Sequence, residues 1–340
     1  MAVNLKTIED DVAAGKIAPV YLVQGTDQYL MDQAHQIFVN MIPEDERSMN
    51  FATYDLREQN LSNALDDARS MPFFGERRVV IIDNTYILTG EQVKNKLDHN
   101  PEELLDYLQH PEPQTTLVLM APYEKLDRRK KITKLLQEQS VHLSFGNLSE
   151  NDVKKIVDIR LKGQGFTITA GALQRLFQIT NLNLSQIMQE LQKVTLYAIP
   201  EKEISEKMIQ ATATKTLNDS VFDLIDLIIN FKVNQAVLLY HQLILNGEEP
   251  LRLQGAMTSH FRLLLQVKAS TMSEQGTAKA LGIHPYRIKL ARKTVQKFQY
   301  QQLAKTYLQL VHMEQQIKTT QRDPELLFEL FMLKVGHSNN

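Results

Sequence analysis

The sequence contains no cysteine, which excludes disulfides and thiolate metal sites and suits a reducing compartment. Tryptophan is also absent, and glycine and proline number only 13 and 11 in 340 residues. That scarcity excludes collagen-like repeats and low-complexity tails. Neither sign of charge dominates: 38 Lys and Arg stand against 40 Asp and Glu, a formal net charge of -2. Such a balance argues against a dedicated polyanion binder and leaves room for a local basic face. No apolar run approaches the length of a membrane helix, and the opening MAVNLKTIEDDVAAGK carries acids where a secretory signal would be apolar. A cytoplasmic, mostly helical protein of two or three domains is the expectation.

What is present begins with alternating strands and helices. Pro19 to Val23 is an apolar run that enters a turn at Gly25-Thr26-Asp27. Leu30, Ala34, Ile37, Phe38 and Met41 then recur at helical spacing, with Asp27 as the expected N-cap. Phe51 to Tyr54 predicts a second strand, and Leu61, Ala64, Leu65 and Ala68 a second helix. Arg78 to Asp83, β-branched and continuous, is the strongest strand signal and predicts a central parallel strand. Asn100-Pro101-Glu102-Glu103 opens a helix, Thr115 to Met120 forms a strand, Lys125 to Gln139 is expected as a basic helix, and Val141 to Phe145 closes the set. Strands spaced by helices imply a parallel, helix-covered sheet.

After Gly146 the strand signals stop. Ser149 and Asp152 have the spacing of a capping box, and helices follow over Leu173 to Phe177, over Leu184 to Val194 and after Ser205. Ala211 to Thr216 is the expected linker. Apolar stripes through Phe222, Ile225, Ile228 and Ile229, and through Ala236, Leu239, Tyr240 and Leu243, begin an all-helical remainder. A long helix from Pro250, two more, and a last one from Asp323-Pro324 complete it. The expected fold class is therefore an α/β N-terminal domain over 1–146, followed by two all-α domains over 147–213 and 214–340.

A nucleotide site finds little support. Arg78 to Asp83 has the form of a strand that ends in a magnesium-holding Asp, but Asn84 stands where a second acid would polarise water. The first strand runs into Gly25-Thr26-Asp27-Gln28, and no Gly-x-x-x-x-Gly-Lys-Ser/Thr occurs anywhere. The His residues form no close ligand pair, and Gly163-Gln164-Gly165 does not continue as a dinucleotide fingerprint. Asp223 and Asp226, three apart on one helix, could share a metal, but a solvated face opposite Phe222 and Ile225 is the favoured reading. No catalytic residue and no cofactor is expected.

Two basic stretches stay open to two readings. Lys125, Arg128, Arg129, Lys130 and Lys131, with Lys134, could grip phosphates or form a solvated face. Ala278, Gly282 and Ile288 have helix-turn-helix spacing, with Arg287, Lys289, Arg292, Lys293 and Lys297 behind them. That corner could read DNA, as in a stand-alone regulator, or simply pack two helices. Ser70-Met71-Pro72-Phe73-Phe74-Gly75 is an apolar loop that either plugs its own core or marks a partner site.

Three segments carry a resemblance to a known family: Pro19 to Gly25, Met71 to Val80 and Ala121 to Lys131. They are similar to the delta subunit of the bacterial DNA polymerase III clamp loader in its Gram-positive form, and Leu281 to Tyr286 is similar to that family's C-terminal stretch. The resemblance implies a clamp-loader ATPase-like domain whose nucleotide site is lost, a helical lid domain and a helical collar. It implies partners: the beta sliding clamp, the delta-prime and gamma or tau subunits of a five-membered ring, and primed DNA threaded through the complex. The clamp-binding element maps onto Met71, Pro72, Phe73 and Phe74, and Lys125, Arg128, Arg129, Lys130 and Lys131 could face the DNA. The absent Ser-Arg-Cys finger agrees with a subunit that hydrolyses nothing.

Overall fold

The computed structural model describes residues 5–73, 75–91, 97–146, 148–212, 217–296 and 298–337. The chain divides into two compact units, Met1–Lys155 and Ile156–Asn340. In the first unit the order is α1 (Leu5–Ala13), β1 (Val20–Gly25), α2 (Gln28–Val39), α3 (Arg47–Asn50), β2 (Phe51–Asp55), α4 (Leu61–Ala68) and β3 (Arg78–Asp83). A 3-10 turn at Tyr86–Leu88 follows, then α5 (Pro101–Gln109), β4 (Thr115–Ala121), α6 (Lys131–Gln139) and β5 (Val141–Phe145). The strands pair in parallel in the order β2-β3-β4-β1-β5.

The middle strand is β4, buried at every position, and not the expected β3, which lies one strand in from the edge. Helices cover both faces of the sheet, so an interior strand reads as an unbroken apolar run whatever its rank. Two helix starts follow the local chemistry. The Asp27 carboxylate accepts the Leu30 N–H at 3.1 Å, and the Asn100 side chain accepts the Glu102 N–H at 3.1 Å ahead of Pro101.

The basic helix starts later than expected, at Lys131. Upstream, the Asp127 carboxylate accepts the Arg129 N–H at 3.0 Å, a side-chain turn that competes with helix formation. The Arg129 guanidinium forks onto the same carboxylate at 2.9 and 2.8 Å and, with that N–H, holds its pKa down at about 2. The Lys130 ammonium donates to the carbonyls of Ile87 and Thr89 at 2.7 and 2.6 Å, pinning the segment to the 3-10 turn. Lys125, Arg128, Arg129 and Lys130 therefore lie on a loop and share no helical face.

The second unit continues α7 (Glu150–Gly163) through β6 (Thr167–Ile168), α8 (Ala170–Ile179), α9 (Leu184–Tyr197), β7 (Glu203–Ile204) and α10 (Glu206–Thr212). The expected capping box forms: the Ser149 N–H donates to Asp152 Oδ2 at 3.0 Å, and the Asp152 N–H donates to Ser149 Oγ at 3.2 Å. Strands do not stop after Gly146, because β6 and β7 pair in parallel. Each is two residues long, too short to show a period. Ala211 and Thr212 of the expected linker end α10, and 213–216 lie outside the described residues.

Among the described residues seven helices follow: α11 (Leu217–Ile229), α12 (Val233–Leu245), α13 (Pro250–Ala269), α14 (Glu274–Leu281), α15 (Pro285–Val295), α16 (Tyr300–Thr319) and α17 (Pro324–His337). Three of them, not two, separate α13 from the last. Leu253, Met257, Phe261 and Leu264 fill the core from α13, and Tyr240 stacks on Phe328 with ring centroids 4.1 Å apart. At the α14–α15 corner Gly282 adopts φ +64 as a left-handed cap, while Ala278 and Ile288 are buried in this core. The Arg292 guanidinium bonds back to the Met272 carbonyl and Arg287 lines an internal cleft. Lys297 lies outside the described residues. Ala278 and Ile288 thus pack the two helices together, while Lys289 and Lys293 are exposed. No helix among the described residues is long and apolar enough to cross a membrane.

Candidate partner-binding loop and nucleotide crevice

In open α/β sheets a ligand sits beyond the carboxyl ends of the strands, where the strand order reverses. That point lies at the end of β1, since β2 is placed to one side of it and β5 to the other. Several of the chain's own groups bond to one another at this point. Gln24 Nε2 donates to the Tyr123 and Glu124 carbonyls at 3.4 and 3.0 Å. Gly25 has a packing reason: a side chain there would collide with Phe145, its register partner on β5. At the start of α2, where a phosphate would meet backbone amides, the Asp27 carboxylate already takes the Leu30 N–H. Burial pushes the Asp27 carboxyl pKa up, and no lysine of a phosphate-binding loop follows it.

The end of β3 is equally unlike a magnesium site. Burial raises the pKa of Asp83, with Asp55 on the neighbouring strand adding to the rise and His35 opposing it. Asn84 adopts φ +52 and donates through Nδ2 to Asp55 Oδ2 at 2.8 Å. Among the described residues no group of three or more His, Asp or Glu is placed to hold a metal ion. Asp223 pairs with Arg175 at 3.3 Å, and Asp226 accepts from the Asn230 side chain at 3.1 Å.

The loop between α4 and β3 is the most exposed apolar feature of the first unit. Met71 is 71 % exposed and Phe73 60 %, so neither plugs the core; Phe74 lies outside the described residues. The backbone beneath them is held on several sides. The Ser70 carbonyl accepts from Thr115 Oγ1 at 3.4 Å, and the Phe73 N–H donates to Asn50 Oδ1 at 2.8 Å. Asn50 is 1 % exposed, so this is a buried anchor at the end of α3. Arg78 ties the Asp67 carboxylate of α4 to the Met49 carbonyl, and Gly75, at φ +87, passes so close to the Glu46 carboxylate that a side chain would collide with it. A rigid frame thus carries an apolar tip. Pro72, half-buried, fixes its own φ within that tip.

Reading the sequence alone misses Glu46, Met49 and Asn50. Met49 is 49 % exposed and precedes the anchor, which extends the apolar surface beyond the loop itself. No local pattern marks these residues, because their role depends on a segment more than twenty residues away. Replacing Asn50 by Ala is expected to cost about 1–3 kcal/mol in stability, since the Phe73 N–H loses its acceptor. Chemical denaturation measures that loss, and chymotrypsin should cut the loop faster in the variant.

Of the basic stretch, Lys125, Arg128, Arg129 and Lys131 are exposed, while Lys130 is half-buried with its ammonium committed to the two carbonyls. The set is therefore smaller than the sequence suggests.

Family models match along the chain: DNA polymerase III, delta subunit, over residues 21–145; a middle domain over 149–211; and DNA polymerase III delta subunit, C-terminal domain, over 218–335. DNA polymerase III subunit delta of Bacillus subtilis is 35 % identical over 331 residues, spanning 96 % of this chain and 95 % of that protein. A probable DNA polymerase III subunit delta of Aquifex aeolicus is 24 % identical over 261 residues, spanning 73 % and 70 %. The solved structure of the Bacillus subtilis DNA clamp loader delta protein superposes with a TM-score of 0.75 at 32 % identity, covering 98 % of this chain and 99 % of that one. With identity of that extent over nearly the whole of both chains, the protein belongs to the DNA polymerase III delta subunit family.

Proposed function

We propose that this clamp-loader subunit binds the beta sliding clamp through the loop of Met71, Pro72, Phe73 and Phe74, and opens the clamp for loading onto primed DNA. The observation that carries the reading is the pair of exposed apolar side chains, Met71 and Phe73, on a loop braced by Asn50 and Arg78. An apolar tip on a prepaid frame loses little entropy when it enters a partner's pocket, which is how a short element becomes a strong anchor. Calorimetry with the purified beta clamp tests it: saturable binding supports the reading, and no binding at micromolar clamp overturns it.

The same reading divides the chain into a clamp-binding domain over 1–146, a lid over 147–213 and a collar over 214–340. The collar joins the subunit to delta-prime and to gamma or tau in the cytoplasm. It rests on Leu326, Leu330 and Leu333 of α17, exposed at i, i+4 and i+7, opposite the buried face of Leu327, Phe328, Phe331 and Met332. A helix apolar on two sides needs two partners, and its own core supplies one. Lys125, Arg128, Arg129 and Lys131 remain the proposed DNA-facing residues, with Lys130 serving the loop beneath them.

The subunit works without nucleotide of its own. Asp27 at the helix start repels phosphate, Gln24 spans the crevice, and no lysine supplies counter-charge. Titration with magnesium-ATP is expected to give no saturable heat, and micromolar binding would overturn this part.

A further inference from the structure

The tip formed by Met71, Pro72 and Phe73 is small for a protein interface. Met71 is 71 % exposed, Phe73 60 %, and Pro72 is half-buried. At about 200 Å² for a whole large side chain, the tip presents roughly 300 Å². Each partner in a specific complex commonly buries about 800 Å². A clamp seated on this tip therefore also covers the surface beside it.

The two flanks of the loop differ in chemistry. On the side of α4 and α5, Arg69 pairs with Asp66 at 3.7 Å and with Asp106 at 3.2 Å, and all three side chains are exposed. The Arg69 guanidinium also lies over the Tyr107 ring, 5.9 Å from its centroid. Covering these pairs would strip water from solvated charges, which suits the rim of an interface and not its core.

On the other side stands α3. Its Asn50 side chain accepts the Phe73 N–H at 2.8 Å, so the end of this helix abuts the loop. Met49, one residue earlier, is 49 % exposed. The Arg78 guanidinium donates to the Met49 carbonyl at 2.6 Å, which ties that backbone to the start of β3, the strand the loop enters. Met49 thus stands on the same frame as the tip, and its backbone needs no ordering when a partner docks. Its side chain is apolar, unbranched and able to follow a partner's contour. Beyond it, Glu44 and Asp45 are exposed and supply the polar edge that surrounds an apolar core.

We propose that the clamp-binding surface runs from the loop across α3, with Met49 as a third apolar contact and the Arg69 ion pairs outside the core. This inference rests on the reading that the loop binds the beta clamp, and it fixes the direction in which that interface extends.

The test is oxidation of the full chain by dilute hydrogen peroxide, with and without saturating beta clamp, read as methionine sulfoxide by mass spectrometry of its peptides. Met272, also 49 % exposed, lies in the other unit and serves as the internal reference. The clamp is expected to slow oxidation of Met49 and Met71 by about fivefold or more and to leave Met272 unchanged. In calorimetry, Met49→Ala should weaken clamp binding about tenfold. The melting curve of that variant should not move, because the side chain is exposed in the isolated chain. The footprint on the parent chain needs no variant, so it decides the matter even if Met49→Ala folds poorly. Protection of Met71 without protection of Met49 overturns this inference and leaves the loop reading standing. A clamp that binds by calorimetry yet protects neither methionine overturns both.

Discussion

Replacing Met71 and Phe73 together by alanine is expected to weaken binding to the beta clamp by about 3–5 kcal/mol, from a hundredfold to a few thousandfold in affinity. Each side chain contributes about 1.5–3 kcal/mol if it passes from water into a pocket. Because both are exposed in the isolated chain, that transfer occurs on binding and not on folding. The melting curve of the double variant should therefore stay within about 0.5 kcal/mol of the parent in stability, as for other surface changes. Side chains that plugged the core would give the reverse, with about 3–5 kcal/mol lost from stability for a buried Phe. Calorimetry against the clamp and a denaturation curve separate the two effects. A stably folded double variant that binds the clamp like the parent would refute the loop as the clamp-binding element.

The second large effect is expected at α17. Leu326, Leu330 and Leu333 replaced together by Gln should abolish co-purification with delta-prime and gamma or tau, a loss of more than a hundredfold. Three leucines buried at an interface contribute at most about 4–9 kcal/mol by area, and interface contributions are not additive, so the lower part of that range is the safer expectation. The buried face of the same helix is untouched by these changes, with Phe328 still stacked on Tyr240. Folding should be nearly unaffected and clamp affinity unchanged. A triple variant that assembles like the parent would show that another face carries the ring contacts. The two variants together ask whether clamp binding and assembly are separable, as their placement in different units predicts.

Much of the architecture was written in local pattern. The strand beginning at Val20, the capping box of Ser149 and Asp152, and the helix opened by Asn100-Pro101 all appear as expected. Each depends on groups a few residues apart: a continuous apolar run, a side chain reaching an N–H three residues away, a proline at a first turn. The failures share a cause as well. Lys125 to Lys130 has helical composition, yet Asp127 captures the Arg129 N–H and Lys130 reaches carbonyls more than forty residues back. The rank of β3 in the sheet, and the two-residue strands β6 and β7, are decided by pairing across the chain, which no short window records.

The sequence by itself determined the succession of α/β and helical segments, and it carries no Gly-x-x-x-x-Gly-Lys-Ser/Thr cradle, a feature that requires particular residues at particular spacing. It also marked Met71 to Gly75 as an unusual loop, but it left the direction of the loop's side chains open. Only the tertiary structure decided that Met71 and Phe73 face outward. The backbone of that loop is oriented by Asn50, 23 residues before Phe73, and Arg78 braces its base through the Met49 carbonyl, 29 residues earlier. Composition and periodicity report a residue's relation to its neighbours along the chain. Whether an apolar tip is swallowed or presented is settled by polar anchors that meet it only after the chain has folded.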